Sequence, residues 1–328
     1  MAADGEVNET QLPVVLVLGP TAGGKTRLAI DLAKALDGEC ICADSMQVYR
    51  GMDIGTAKPT AAEQAEVPHH LLDLVEPDDE RFSVDVWLNL AETAIAEIRA
   101  RARYPVVVGG TNLYIQALLA GLCDAPAADP VRRAALQALD DAALRARLET
   151  ADPASAERIH PNDRRRTIRA IEVFEATGRP LSDLQREWIR GPGRSDVRII
   201  GLTWPVEAIN RRINARVRTM VAAGLVDEVR GLWAGGRLGR QAREALGYKQ
   251  VIEHLEGRCD LDEAIEQIKI RTRRFAKQQR TWLRRFRAHP ASTWIEVADS
   301  GTKDIADTVL TSLRSDPESP VEPGGPPH

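Results

Sequence analysis

Cysteine is scarce in this sequence, with four residues scattered among 328 and no pair of Cys-x-x-Cys motifs. A zinc site built on cysteines is therefore not expected, and a reducing cytoplasm fits this usage best. Long apolar runs are also missing, since no stretch approaches the roughly 18 residues that a membrane span needs. The absence of such runs argues against a membrane enzyme.

Excess positive charge is absent too, because the formal net charge is −4. Taken alone, this value argues against a nucleic-acid partner, yet a sum over the chain hides how charge is distributed. Residues 271–287 carry eight positive charges and no acidic residue. A second cluster contains Arg164, Arg165, Arg166 and Arg169. The two clusters favour an RNA-sized substrate, although the second is also typical of the lid of a small-molecule kinase.

Short β-branched apolar runs alternate with helical patterns along most of the chain, which predicts an α/β fold with a mostly parallel sheet flanked by helices. The predicted strands are 14–18, 39–43, 104–108 and 197–204. The predicted helices outside residues 125–194 are 26–36, 82–103, 112–119, 206–232 and 261–286.

Between residues 125 and 194 the strand-like runs disappear, and alanine, arginine and leucine recur at helical spacing. We therefore predict a helical insertion domain at 125–194 within a catalytic core formed by 14–124 and 195–314. The polar residues 1–13 are predicted to be a disordered leader, and the Pro/Gly-rich residues 315–328 a disordered tail.

A phosphate-binding loop follows the first predicted strand and precedes a predicted helix. The pattern G-x-x-x-x-G-K-[ST] is matched in full by Gly19, Pro20, Thr21, Ala22, Gly23, Gly24, Lys25 and Thr26. Glycines let backbone N–H groups surround an anion, Lys25 adds positive charge, and the Thr26 hydroxyl can reach Mg²⁺. The sequence therefore predicts that a diphosphate or triphosphate binds here.

The third predicted strand lacks the acid that holds Mg²⁺ in hydrolytic phosphate-loop proteins. It ends in Gly109, Gly110 and Thr111 instead, whereas Asp44 follows the second strand. Because parallel strands converge at their carboxyl ends, we expect Asp44, Thr111 and the phosphate loop to form one site. Asp44 has three interpretations, a general base, an indirect Mg²⁺ ligand or a helix cap. Thr111 either contacts a diphosphate or caps the following helix.

Residues 44–59 form a long, polar, glycine-punctuated connection that favours a functional loop. His69 and His70 lack a third ligand at metal spacing, so a structural or surface role is favoured over a metal site.

Six motifs in order along the chain resemble the tRNA dimethylallyltransferase family. They are Gly-Pro-Thr-Ala-Gly-Gly-Lys-Thr from Gly19, the whole of residues 44–59, Pro-His-His-Leu-Leu-Asp from Pro68, Val-Gly-Gly-Thr-Asn-Leu-Tyr from Val108, His-Pro-Asn-Asp-Arg-Arg-Arg from His160, and Arg-Glu-Ala-Leu-Gly-Tyr-Lys-Gln from Arg243. One departure is Gly23, where serine is expected in many relatives.

This resemblance implies that the phosphate loop holds dimethylallyl diphosphate, with Lys25 and Mg²⁺ neutralising the leaving group and Thr26 meeting the metal. Thr111 would contact the diphosphate, Arg243 would close on it, and Asp44 would take the proton from an adenine amine.

The resemblance also implies that the insertion grips the anticodon stem of a tRNA and that the acceptor is the adenosine beside the anticodon. The residues implied in tRNA contact are Asp44, Ser45, Met46, Gln47, Thr111, Arg133, Arg165, Arg166 and Arg169. We expect a monomer. The rival functions are a small-molecule kinase, an enzyme that prenylates free adenosine nucleotides, and a non-catalytic RNA-binding module.

Overall fold

The computed structural model describes residues 12–190, 193–297 and 303–314. Its centre is a six-stranded sheet in which every neighbouring pair is parallel, with the order β3-β2-β4-β1-β5-β6. The strands are β1 (Val14–Leu18), β2 (Gly38–Ala43), β3 (His69–His70), β4 (Tyr104–Gly109), β5 (Val197–Thr203) and β6 (Ser292–Glu296). The predicted α/β class with a parallel sheet is therefore confirmed.

Helices connect and flank the strands, as crossovers between parallel strands require. They are α1 (Lys25–Ala35), α2 (Ala61–Glu66), α3 (Val84–Ala100), α4 (Asn112–Ala120), α5 (Pro130–Gln137), α6 (Asp141–Ala151), α7 (Pro153–Arg158), α8 (Arg164–Thr177), α9 (Leu181–Arg190), α10 (Val206–Ala222), α11 (Leu225–Ala234), α12 (Arg240–Arg243), α13 (Tyr248–Leu255), α14 (Leu261–Phe286) and α15 (Lys303–Arg314).

Strand β1 lies in the interior of the sheet, and all five of its residues are buried. Val15 is level with Val106 of β4 on one side and with Arg198 of β5 on the other. Burial on both faces and both edges explains why β1 is a continuous apolar run. The register also brings the carboxyl ends of β1, β4 and β2 to one edge, where the phosphate loop begins.

One predicted helix differs from the structure, and two observed strands were not predicted. The predicted helix 206–232 is two helices, because α10 ends at Ala222 and Gly224, with a left-handed φ of 100°, separates it from α11. The edge strands β3 and β6 were missed, since β3 has two residues and β6 is a partly exposed, mixed polar segment. Neither pattern carries a clear strand signal.

The chain divides into two compact units, one formed by Met1–Ile115 with Ser195–His328 and the other by Gln116–Arg194. The second unit begins before the predicted insertion limit of 125. Its helices surround a separate apolar core that includes Leu144, Leu148, Ile168 and Ile171. The predicted tail, and the predicted leader apart from Leu12 and Pro13, lie outside the described residues.

No helix within the described parts of the chain is long and apolar enough to span a bilayer.

Candidate functional site

The phosphate loop joins β1 to α1 and uses two left-handed residues to make its turn. Ala22 has a φ of 60° and Gly24, the residue before α1, a φ of 86°. Two side chains from later in the chain hold its outer carbonyls: Arg212 Nε donates to Ala22 O at 2.8 Å, and Trp204 Nε1 donates to Gly23 O at 3.1 Å. The loop is thereby fixed with its N–H groups at the N-terminus of α1, where anions bind.

Gln279 of α14 ties the loop to the end of β4. Its Oε1 accepts the Thr21 N–H at 2.8 Å, and its Nε2 donates to Gly110 O at 3.0 Å. The side chain is buried, so each bond is shielded from competing water. Sequence analysis missed this residue. The available signal was a polar residue on the apolar face of α14, in line with Ala276, Leu283 and Phe286.

A cavity of about 540 Å³, which includes its solvent-open mouth, lies beside the loop. Its lining residues are Thr21, Lys25, Thr26, Cys42, Asp44, Gln47, Thr56, Pro59, His69, Leu72, Val108, Gly109, Gly110 and Arg216. The expectation that Asp44 and the phosphate loop share one site agrees with this lining.

Lys25 is the central cation of the cavity, and its Nζ donates to Pro20 O at 2.9 Å. Burial, together with repulsion from Arg216, lowers the pKa of Lys25 to about 8, and Asp44 opposes this change. Burial lowers the pKa of Arg216 as well, again against the attraction of Asp44. The positive charges of Lys25 and Arg216 are only partly balanced by the carboxylate of Asp44. The cavity therefore favours an anionic ligand.

Asp44 and Thr111 belong to one hydrogen-bonded corner. Asp44 Oδ1 accepts the Met46 N–H at 2.9 Å. Thr111 Oγ1 accepts the Ser45 N–H at 2.9 Å and donates to Ser45 Oγ at 3.2 Å. Thr111 is not part of the cavity lining, and the structure places its hydroxyl against the residue that follows Asp44. A contact with diphosphate or tRNA stays a prediction.

The 44–59 loop is held from within by Lys58, which is 3% exposed at its side chain. Lys58 Nζ donates to Tyr49 O at 2.9 Å and pairs with Asp53 and Asp73, each at 2.5 Å. The Gln47 amide adds bonds to Thr56 O at 3.1 Å and Ala57 O at 3.2 Å. The loop is thus a folded part of the cavity wall.

At the end of β4, the cavity wall consists of backbone. A Cβ added to Gly109 would lie 2.1 Å from Ala43 O on the neighbouring strand β2. A Cβ added to Gly110 would lie 2.7 Å from Gln279 Nε2. Gly109 therefore requires glycine for β2 and β4 to approach this closely, whereas a side chain at Gly110 would displace the Gln279 amide.

The two histidines face different partners. His70 Nε2 lies 2.7 Å from the buried Glu39 carboxylate, which also pairs with Arg101 and Arg103. His69 lines the cavity, its Nδ1 lies 2.8 Å from Val67 O, and burial lowers its pKa. Among the described residues no group of three His, Cys, Asp or Glu is placed to hold a metal.

For two arginines, Arg243 and Arg216, the expectation from the sequence and the observed position differ most. Arg243 is exposed, donates from Nε to Leu238 O at 2.9 Å and does not line the cavity, so its contact with diphosphate stays a prediction. Arg216, on α10, does line the cavity. No motif singled it out, because it is one of several arginines spaced along an amphipathic helix.

In the second unit, the arginines implied in tRNA contact differ in how free they are. Arg165 and Arg166 are exposed. Arg133 makes two bonds to the buried Glu172 carboxylate, at 2.7 and 2.6 Å. Arg169 donates to Pro126 O at 2.8 Å. Arg165 and Arg166 are therefore the better placed to meet a polyanion, and all four roles stay predictions.

The positive run on α14 is a surface feature of the first unit. Arg271, Arg274, Lys277, Arg284 and Arg285 are exposed, while Ala276, Gln279, Leu283 and Phe286 on the opposite side are buried. At 1.5 Å per residue, the cationic face is about 21 Å long. Several backbone phosphates of an RNA fit along this length.

Comparisons with known proteins match this architecture. The IPP transferase family matches residues 47–286, and an isopentenyl transferase family matches residues 12–73. A tRNA dimethylallyltransferase of Geobacillus kaustophilus is 48% identical over 296 residues, which cover 88% of this chain and 91% of that protein.

The chain belongs to the IPP transferase family. A second relative, the tRNA dimethylallyltransferase of Geobacter sulfurreducens, is 48% identical over 288 residues, covering 86% of this chain and 91% of that one.

Solved structures of the family have the same fold. The tRNA isopentenylpyrophosphate transferase of Bacillus halodurans superposes with a TM-score of 0.68 at 40% identity, over 93% of this chain and 96% of that one. A eukaryotic dimethylallyltransferase acting on tRNA gives a TM-score of 0.78 at 27% identity, over 94% of this chain and 81% of that one. The family resemblance found in the sequence is confirmed.

Proposed function

We propose that this IPP transferase moves the dimethylallyl group of dimethylallyl diphosphate onto the N6 amine of the adenosine 3′-adjacent to the anticodon in tRNA, releasing diphosphate. The observation that carries the proposal is one cavity in which Lys25 and Arg216 stand beside a single carboxylate, Asp44. The relatives named above support tRNA as the acceptor.

The cationic half of the cavity suits the leaving group. The phosphate loop and Lys25 are held by protein contacts, and Arg216 lines the same cavity, so these groups stabilise negative charge on the departing diphosphate with little reorganisation. An arrangement of this kind contributes roughly 3–4 kcal/mol per well-placed donor to lowering the barrier. Several such donors act on the same diphosphate, and stabilising its negative charge weakens the allylic C–O bond.

Mg²⁺ fits the oxygen donors of this site. The Thr26 hydroxyl lines the cavity and would hold Mg²⁺ together with phosphate oxygens of the substrate and water. Bound there, Mg²⁺ would supply further charge neutralisation at the diphosphate.

The acceptor side depends on Asp44. The adenine amine is a weak nucleophile, because its lone pair is delocalised into the ring. As the N6–C1 bond forms, the C1–O bond breaks and its electron pair leaves with the diphosphate. The proton from N6 passes to the Asp44 carboxylate, which we propose to be the general base. Proton transfer of this type usually contributes about 10²–10⁴-fold to the rate.

Binding of tRNA is proposed for two basic surfaces, Arg165 and Arg166 in the second unit and the exposed face of α14 in the first. The target base must leave its stack, and a nucleotide in the anticodon loop leaves at lower cost than one in a duplex. We further propose that the protein acts as a monomer in the cytoplasm.

The deciding experiment incubates the protein with Mg²⁺, unmodified tRNA, AMP and either labelled dimethylallyl diphosphate or labelled ATP. Prenyl label in tRNA supports the proposal, and label transferred to AMP instead of tRNA identifies an enzyme of free nucleotides. Phosphate transfer from ATP to an acceptor would refute the proposal in favour of a kinase. Binding of tRNA without transfer of either label would identify a non-catalytic module.

A further inference from the structure

Three consecutive backbone N–H groups of the 44–59 loop converge on one carboxylate from a distant part of the chain. Asp53, Ile54 and Gly55 donate to Glu228, on α11, at 3.0, 2.7 and 3.1 Å. Hydrogen bonds to an ionised acceptor are stronger than neutral ones, and three in succession fix the backbone they come from. Glu228 therefore holds this part of the loop in one conformation.

Tyr248 completes the arrangement from a third element. It is the first residue of α13, is fully buried, and donates its hydroxyl to the same Glu228 carboxylate. Burial and the Glu228 charge both raise the pKa of Tyr248, so the hydroxyl remains a donor. Its ring lies directly against the loop, because a Cβ on Gly55 would be 2.4 Å from Tyr248 Cε2.

The residues held in this way are joined to the cavity wall. Gly55 is followed by Thr56, which lines the cavity, and the carbonyls of Thr56 and Ala57 accept the Gln47 amide. Gln47 Oε1 accepts the thiol of Cys42 at 3.2 Å, and both side chains line the cavity. A shift of residues 53–55 would therefore move the wall formed by Gln47 and Thr56.

The cationic part of the wall is held by other contacts. Lys25 and Thr26 belong to the phosphate loop, which Gln279, Trp204 and Arg212 hold in place. None of these three contacts passes through the 44–59 loop. Loosening that loop should consequently leave anion binding unchanged while it disturbs the alignment of the two reacting groups.

We propose that Glu228 and Tyr248 are positioning residues for prenyl transfer, which act by fixing the wall formed by Gln47 and Thr56. The inference rests on the proposed function. It also assigns a role to Tyr248 within the motif that begins at Arg243: the tyrosine anchors the loop through Glu228 and does not line the cavity. Such alignment affects turnover strongly, since small displacements of a bound reactant remove much of the advantage of proximity.

The test compares Tyr248→Phe and Glu228→Gln with Asp227→Asn, a control one residue away whose exposed carboxylate pairs with Arg230. Tyr248→Phe keeps the ring and removes one charge-assisted bond, for which we expect a fall in kcat of about tenfold. Glu228→Gln weakens all four bonds, and we expect a fall of about 100-fold. The dissociation constant for inorganic diphosphate and the control's kcat should stay within about twofold of the parent.

Hydrogen exchange of the Asp53, Ile54 and Gly55 amides gives a measurement that needs no turnover. Exchange should be faster in both variants than in the parent and the control. Parent-like exchange and kcat in Tyr248→Phe would overturn the inference, as would a parallel loss of diphosphate affinity. Should Glu228→Gln fail to fold, the Tyr248→Phe result decides. A parent enzyme without prenyl transfer to tRNA would instead refute the proposed function.

Discussion

Lys25 makes a sharp prediction about pH, because its pKa is lowered to about 8 by burial and by Arg216. A diphosphate binds the protonated ammonium and raises its pKa in the complex, so affinity is lost as pH rises through the pKa of the free enzyme. With that value, Lys25 is about 90% protonated at pH 7 and about 10% at pH 9. Affinity should fall about tenfold across this interval.

The assay is calorimetric titration with inorganic diphosphate, without Mg²⁺, at several pH values between 6.5 and 9.5. Lys25→Arg is the matched control, because a guanidinium stays charged and so reports the ligand's own ionisation. The ratio of parent to control affinity isolates the lysine. Lys25→Met should bind weakly at every pH.

The charges of Arg216 and Asp44 should determine the pH at which half of the diphosphate affinity is lost. Arg216→Gln removes a repulsion, so the fall should move to higher pH. Asp44→Asn removes an attraction, so it should move to lower pH. A parent-to-control ratio that stays constant from pH 7 to 9 would show that Lys25 is not the titrating group, and shifts of the opposite sign would contradict the electrostatic reasoning.

Three further outcomes are expected. Asp44→Ala should keep diphosphate affinity within a few fold and lose about 10²–10⁴-fold in kcat; near-parent turnover would remove Asp44 from the mechanism. Replacing Arg165 and Arg166 with alanine should weaken tRNA binding and lower the salt-dependence slope by roughly 1–2, so an unchanged slope would contradict their role. Gln279→Leu leaves the Thr21 N–H and Gly110 O without their partner, and should cost about 1–3 kcal/mol of unfolding free energy and weaken diphosphate binding; a parent-like melting temperature and affinity would refute this bridge.

Local sequence patterns were sufficient to predict a fully buried strand, a long amphipathic helix and a loop with a distinctive motif. Strand β1 was predicted with its observed bounds because it is apolar on both faces, and α14 because its apolar residues recur at helical spacing. The phosphate loop needed only its spacing and context. The break between α10 and α11 was missed because one glycine within a long amphipathic pattern is compatible with an uninterrupted helix.

The site was harder to predict from the sequence than the fold, because its contacts join residues far apart in the chain. Gln279 reaches Thr21 across 258 positions, and Glu228 reaches Ile54 across 174. Neither pairing leaves a local pattern in composition or periodicity. Arg216 has the same difficulty, since its burial against Lys25 depends on how α10 packs. The place of Gln279 on the apolar face of α14 marks it as unusual, but only the tertiary structure shows what these three side chains contact.

Gly109, at the end of β4, limits which side chains this sheet can carry beside the cavity. Gly109 lies so close to Ala43 that even a methyl group would overlap the neighbouring strand's carbonyl oxygen, at 2.1 Å. An aspartate able to activate water for nucleotide hydrolysis cannot be introduced there by one substitution, since separating β2 from β4 would break the sheet. Gly109→Asp should yield insoluble protein, and a folded variant that hydrolyses ATP would disprove this. Backbone packing against Ala43 thus leaves no room for a metal-binding carboxylate at Gly109 in this sheet.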